Sequence, residues 1–181
     1  SISVFFPCYN EIANIKPLVI KSLSTIERMT KDFELILIDD GSSDNSFTIL
    51  SGLQKADSKM RVIRFRKNFG QTAALAAGFA HARGKIIVAI AAYLQNDPAD
   101  IPKIIEKLDE GFDVVSVWRK KRHDNAITSL IPSKIANWLI ATITRVKLHD
   151  FGCTLKVYRR EVLAETKLYG EMHRFIPALA S

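Results

Sequence analysis

The chain has 181 residues, 48% of them hydrophobic and 25% charged, with 26 Lys and Arg against 19 Asp and Glu for a net charge of +7. This length and balance give enough apolar material for a sizeable core and exclude general disorder. Two cysteines, Cys8 and Cys153, are too few for a disulfide framework and belong to no C-x-x-C pair, so neither a stapled scaffold nor a structural zinc site is supported.

In chain order, short apolar runs alternate with helical patterns. Ile2 to Phe6 reads as a strand, and Ile15, Leu18, Val19, Leu23 and Ile26 recur at helical spacing. Phe33 to Ile38 reads as a second strand, ending in Asp39-Asp40-Gly41-Ser42, with a helix after it that turns Phe47, Leu50 and Leu53 inward. Arg61 to Phe65 is a third strand, and the alanine-rich Gln71 to Ala82 is helical. Ile86 to Ala91, the most apolar run, is expected at the centre of the sheet. Asp97-Pro98 reads as an N-cap followed by a proline at the first helical position, and Ile101, Ile104, Ile105 and Leu108 form the buried stripe of that helix. Asp113 to Val117 is a fifth strand. The alternation predicts an α/β fold, a mostly parallel, Rossmann-like central sheet with helices on both faces.

Beyond it lie a charged loop from Arg119 to Asp124 and an amphipathic helix from Ser133 to Arg145. The helix is either packed on the sheet or set at a membrane interface with its basic flanks toward headgroups. The net positive charge reads either as a soluble basic surface or as attraction to a nucleotide, a lipid phosphate or a membrane. Nucleic acid is not expected, because neither zinc-finger spacing nor an aromatic RNA-binding signature is present. No apolar run reaches membrane-spanning length. The opening at Ser1, inside a strand, reads as a piece of a longer protein.

In an open parallel sheet, ligands bind beyond the carboxyl ends of the strands. Here those ends carry Pro7-Cys8-Tyr9-Asn10-Glu11, Asp39 to Asp44, Arg66 to Gly70, Tyr93 to Asp97 and Trp118-Arg119-Lys120. No GxGxxG or GxxxxGK[ST] loop is present, which argues against a dinucleotide oxidoreductase or a P-loop enzyme. Asp39 and Asp40 are suited to accept hydrogen bonds from a base N–H and ribose hydroxyls, or else to form a turn that caps the next helix.

These segments resemble family 2 glycosyltransferases of the GT-A fold. Pro7 to Glu11 resembles the family's P-x-Y-N-E, Asp39 to Ser42 its D-D-G-S, Arg66 to Gly70 its R-N-x-G, and Leu94 to Pro98 the stretch after its metal motif. His149 to Lys156 is similar to a segment of the polyprenyl-phosphate, dolichyl-phosphate mannose synthase-like subgroup. The resemblance implies inverting transfer of a sugar from a GDP- or UDP-linked donor to dolichyl or undecaprenyl phosphate, at the cytoplasmic face of a plasma or endoplasmic reticulum membrane. It implies one catalytic domain over 1–181, with a nucleotide-binding half at 1–118 and an acceptor-side half at 119–181. By the same resemblance Pro7, Tyr9, Asn10, Glu11, Asp39, Asp40, Asn68, Gly70, Ala91 and Ala92 would line the donor site. Arg119, Arg122 and Lys134 would meet the acceptor phosphate, Arg119 also acting in catalysis. Asp150 is either catalytic or a loop-capping aspartate.

One departure matters. Where the family carries D-x-D for Mg²⁺ or Mn²⁺, this chain has Ala91, Ala92 and Tyr93, leaving Gln95 as the remaining metal ligand. One amide oxygen replaces two carboxylates poorly around a hard cation. Weak metal binding and slow or absent turnover are therefore expected, the alternative to an enzyme being an inactive nucleotide-sugar-binding module.

Overall fold

A computed structural model describes residues 1–92, 96–117 and 155–164. Six strands form one sheet: β1 (Ile2–Cys8), β2 (Phe33–Asp39), β3 (Met60–Arg64), β4 (Ile86–Ala89), β5 (Val114–Ser116) and β6 (Lys156–Arg159). Their order is β3-β2-β1-β4-β6-β5. β1 through β4 pair in parallel, whereas β6 runs antiparallel to both β4 and β5.

Helices cover both faces. α1 (Ile12–Met29), α2 (Ser46–Ala56) and α4 (Ile101–Asp109) bury Ile15, Leu18, Val19, Ile26, Leu50, Ile101 and Leu108 against Val4, Phe6, Leu35, Leu37 and Val88. On the other face α3 (Gln71–His81) and α5 (Arg160–Ala164) lie against Phe5, Ile36, Ile38, Ile87, Ala89 and Tyr158. Two-sided cover explains why β1 and β2 are nearly continuous apolar runs rather than alternating ones. Phe5, Phe79 and Tyr158 meet edge to face at centroid separations of 5.1 Å.

The predicted α/β architecture is the observed one, with small shifts of boundary. β1 and β2 run on to Cys8 and Asp39 because their mutual register continues to that pair. β4 stops at Ala89 rather than Ala91, where its register with β1 ends. Asp97 is the expected N-cap, its Oδ1 accepting from the Ala99 N–H at 2.9 Å, though the first turn is a 3₁₀ turn over Pro98–Asp100. The predicted helix at 133–145 lies outside the described residues.

The chain winds outward from β1 to β3, then crosses back to place β4 on the other side of β1. This reversal opens a crevice beyond the carboxyl ends of β1 and β4, the place where doubly wound sheets take their ligands.

Candidate active site

At that crevice a cleft of about 100 Å³ is lined by Pro7, Cys8, Asp40, Asn68, Gly70, Gln71, Ala74 and Ala91. Five of these are residues that the sequence motifs select. Cys8, Gln71 and Ala74 are additions. The signal for the last two lay in the Arg66 to Gly70 segment running directly into α3, whose first turns must then face the cleft.

Hydrogen bonds knit the motifs together. Asn10, in the left-handed region at φ 55°, places its Oδ1 to accept from the backbone N–H of Ser43 at 2.9 Å and of Asp44 at 3.3 Å. Asparagine tolerates that backbone better than most residues. The Asn10 N–H donates to Ser42 Oγ and the Glu11 N–H to Ser46 Oγ. Glu11 Oε2 accepts from Asn14 Nδ2 at 2.6 Å, at the start of α1. Tyr9 is 41% exposed at the rim.

Asp40 organises the third segment: its two carboxylate oxygens accept from the Phe69 and Gly70 N–H groups at 2.8 and 2.9 Å. Gly41 (φ 69°) is pressed on the same loop, and a Cβ there would lie 2.3 Å from the Lys67 carbonyl carbon, so only glycine fits. Asp39 is wholly buried beneath, accepting from the Ser42 N–H at 3.0 Å and facing Arg64 Nε at 3.5 Å. In this structure Asp39 therefore underpins the loop and does not line the cleft.

Burial, followed by the charges of Asp39, Glu11, Asp44 and Asp40, pushes the Cys8 thiol up to about 12. Its Sγ donates to the Ile38 carbonyl at 3.2 Å. A hydrogen bond from the Ser46 side chain holds Asp44 below the usual carboxylate range, and one from the Lys21 side chain does the same for Asp97.

The family profile for glycosyl transferase family 2 matches residues 3–166. The chain belongs to glycosyl transferase family 2. Among its curated relatives, it is 42% identical over 98% of its length to a dodecaprenyl-phosphate galacturonate synthase of Rhizobium johnstonii, covering 53% of that protein. It is 40% identical over 99% of its length to an undecaprenyl-phosphate 4-deoxy-4-formamido-L-arabinose transferase of Shewanella sediminis, covering 54% of it. The family 2 chain thus spans about half the length of the curated relatives it matches.

Among solved structures, a mannosyltransferase of Pyrobaculum calidifontis in complex with GDP-Man and Mn²⁺ superposes with TM-score 0.60 at 20% identity, over 90% of this chain and 45% of that one. A glucosyl-3-phosphoglycerate synthase of Mycobacterium tuberculosis in complex with Mn²⁺, UDP-glucose and phosphoglyceric acid gives 0.64 at 22% identity, over 90% and 57%. The fold is GT-A.

Those neighbours hold Mn²⁺; the described residues of this family 2 chain do not fit such an ion. Ala91 presents a methyl group to the cleft, and Ala92 is buried in the core on the opposite side of the sheet. Both oxygens of Asp40 already hold backbone N–H groups, and Asp97 is occupied by Ala99 and by Lys21 at 2.7 Å. Among the described residues no three His, Cys, Asp or Glu side chains gather as metal ligands. Tyr93, Gln95, Arg119, Arg122, Lys134 and Asp150 lie outside the described residues.

Proposed function

We propose that this chain is the nucleotide-sugar-binding catalytic part of a transferase that moves a sugar from a nucleoside diphosphate to a polyprenyl phosphate, with inversion. Similarity at 40–42% identity along almost the whole chain to two transferases whose names specify prenyl phosphates carries this reading. Pro7, Tyr9, Asn10, Glu11, Asp40, Asn68 and Gly70 surround the donor nucleoside, with Asp39 holding the loop beneath them.

In the reaction an acceptor phosphate oxygen forms a bond to the anomeric carbon as the bond from that carbon to the diphosphate oxygen breaks. The electron pair leaves with the nucleoside diphosphate. A phosphate monoester is already ionised near neutral pH, so no strong general base is required. The demanding tasks are stabilising the leaving group and bringing two anions together. Arg119, Arg122 and Lys134 serve the second, with Asp150 orienting the acceptor side. The reaction takes place at the cytoplasmic face of a membrane.

Incubating the full-length protein with labelled UDP- or GDP-sugars and undecaprenyl phosphate in detergent is expected to yield a lipid-linked sugar. Arg119→Ala is expected to cut the rate about a hundredfold while nucleotide binding persists. Failure to bind any nucleoside diphosphate would sink the proposal. A second reading, a nucleotide-sugar-binding module without turnover, is favoured by the methyl of Ala91 where the family resemblance calls for a carboxylate. Nucleotide binding with no lipid-linked product from any donor would select it.

A further inference from the structure

We propose that the loop following β3 is a membrane-contact face, on which Arg66, Lys67 and Phe69 meet anionic phospholipid headgroups beside the mouth of the cleft. This rests on the reading of the cleft as a site that serves a polyprenyl phosphate, and it names the surface that brings the cleft to the lipid.

The distribution of charge is the first observation. Between Ser58 and Asn96 there is no Asp or Glu, and the seven Lys and Arg of that stretch equal the whole net charge of +7. Lys59 is paired with Glu27 and Arg61 with Glu34, while Arg64 lies over the Phe47 ring and faces Asp39. Arg66 and Lys67 are exposed and have no ion pair among the described residues. They follow the carboxyl end of β3, an edge strand of the sheet, on the same rim as the cleft. Unpaired cations of one sign on one rim attract an anionic surface.

The second observation is how the loop is held. Asp40 fixes the Phe69 and Gly70 N–H groups, and Gly41 is pressed on the backbone of Lys67. In this shape Asn68 and Gly70 line the cleft, and Phe69 between them is 56% exposed. The Phe69 ring is braced edge to face on Phe65 at 5.7 Å, with Lys67 Nζ 5.2 Å from its centroid. An exposed ring beside free cations suits a bilayer interface: the ring enters the headgroup boundary and the cations meet lipid phosphates. The acceptor selects this partner. A polyprenyl tail stays in hydrocarbon, so its phosphate lies at headgroup level and the mouth of the cleft must come to it. Attraction to a charged surface fades within a Debye length of about 8 Å, so the cations that serve this purpose stand at the mouth itself.

Cosedimentation of the 181-residue chain with phosphatidylcholine vesicles, with and without phosphatidylglycerol, tests this. Binding is expected only with phosphatidylglycerol and is expected to fall as salt is raised. Arg66→Gln with Lys67→Gln is expected to weaken it about tenfold or more, and Phe69→Ser to weaken it while Phe69→Leu retains it. Arg83→Gln with Lys85→Gln removes the same charge from exposed positions at the opposite end of the sheet, and is expected to change binding little. Equal losses in the two double variants, or indifference to Arg66→Gln with Lys67→Gln, overturn the proposal. So does equal binding to both vesicles by the unaltered chain, which decides the matter if a variant does not fold by circular dichroism. Binding to a single-stranded oligonucleotide but to neither vesicle also overturns it, in favour of a nucleic-acid face. Vesicle binding that follows this pattern in a chain that binds no nucleoside diphosphate upholds the lipid contact and overturns the transferase reading, so the two failures are distinct.

Discussion

At the scale of single residues, Asp40 and Cys8 show how the cleft is held. Asp40 accepts from Phe69 and Gly70 through both oxygens, so Asp40→Asn turns an amide N–H₂ toward an N–H donor. Loss of one hydrogen bond to a charged acceptor is expected to cost about 2 kcal/mol in urea unfolding, with weaker UDP or GDP binding as the 67–70 loop loosens. Cys8 lines the same cleft, but its thiol titrates at about 12 because burial and the surrounding carboxylates oppose the thiolate. The thiolate is the reactive form, so the Cys8 peptide is expected to resist iodoacetamide at pH 8 in the native protein and to be labelled once the protein is unfolded. Rapid native labelling at pH 8 would contradict that environment. The motifs placed these residues at the rim, but not their division of labour. That Asp39 lies beneath the cleft while Asp40 enters it depends on strand parity at the end of β2, which two adjacent aspartates do not disclose.

At the scale of elements, Gly52 and Gly78, both helical, give opposite expectations. A Cβ on Gly52 of α2 would meet nothing within 4 Å, so Gly52→Ala is expected to stabilise by about 0.5–1 kcal/mol through helix propensity alone. A Cβ on Gly78 of α3 would lie 2.4 Å from Phe5 Cδ2, and Phe5 is fully buried against Phe79. Overpacking of about 1–3 kcal/mol then exceeds the same gain, so Gly78→Ala is expected to lower the melting temperature. Parallel measurements of Tm on the two variants check both signs. Elements buried on both faces, β1, β2 and β4, were legible as apolar runs, and α4 as a periodic stripe. β6 was not, because it is four residues long and begins and ends with a basic side chain. Lys156 is charged yet buried, so its hydropathy argues against the place it occupies.

At the scale of the whole molecule, alternation of strands and helices anticipated the layers and the parallel core. It could not anticipate that a strand from late in the chain enters between β4 and β5, since that depends on pairing across a long separation. This insertion has a consequence for how such a protein can diversify. The Val117 N–H donates to the Leu155 carbonyl at 3.2 Å, so residues far apart in sequence are held together where β5 ends and β6 begins. The sequence between those two residues includes Arg119, Arg122, Lys134 and Asp150, and its two flanks are pinned side by side. Closing a longer or shorter connection between two such flanks changes the entropy of the chain only slowly with its length. Exchange of the 118–154 stretch between relatives is therefore compatible with the register of the strands that precede it, and chimeras joined at 117 and 155 are expected to keep the β5–β6 pairing.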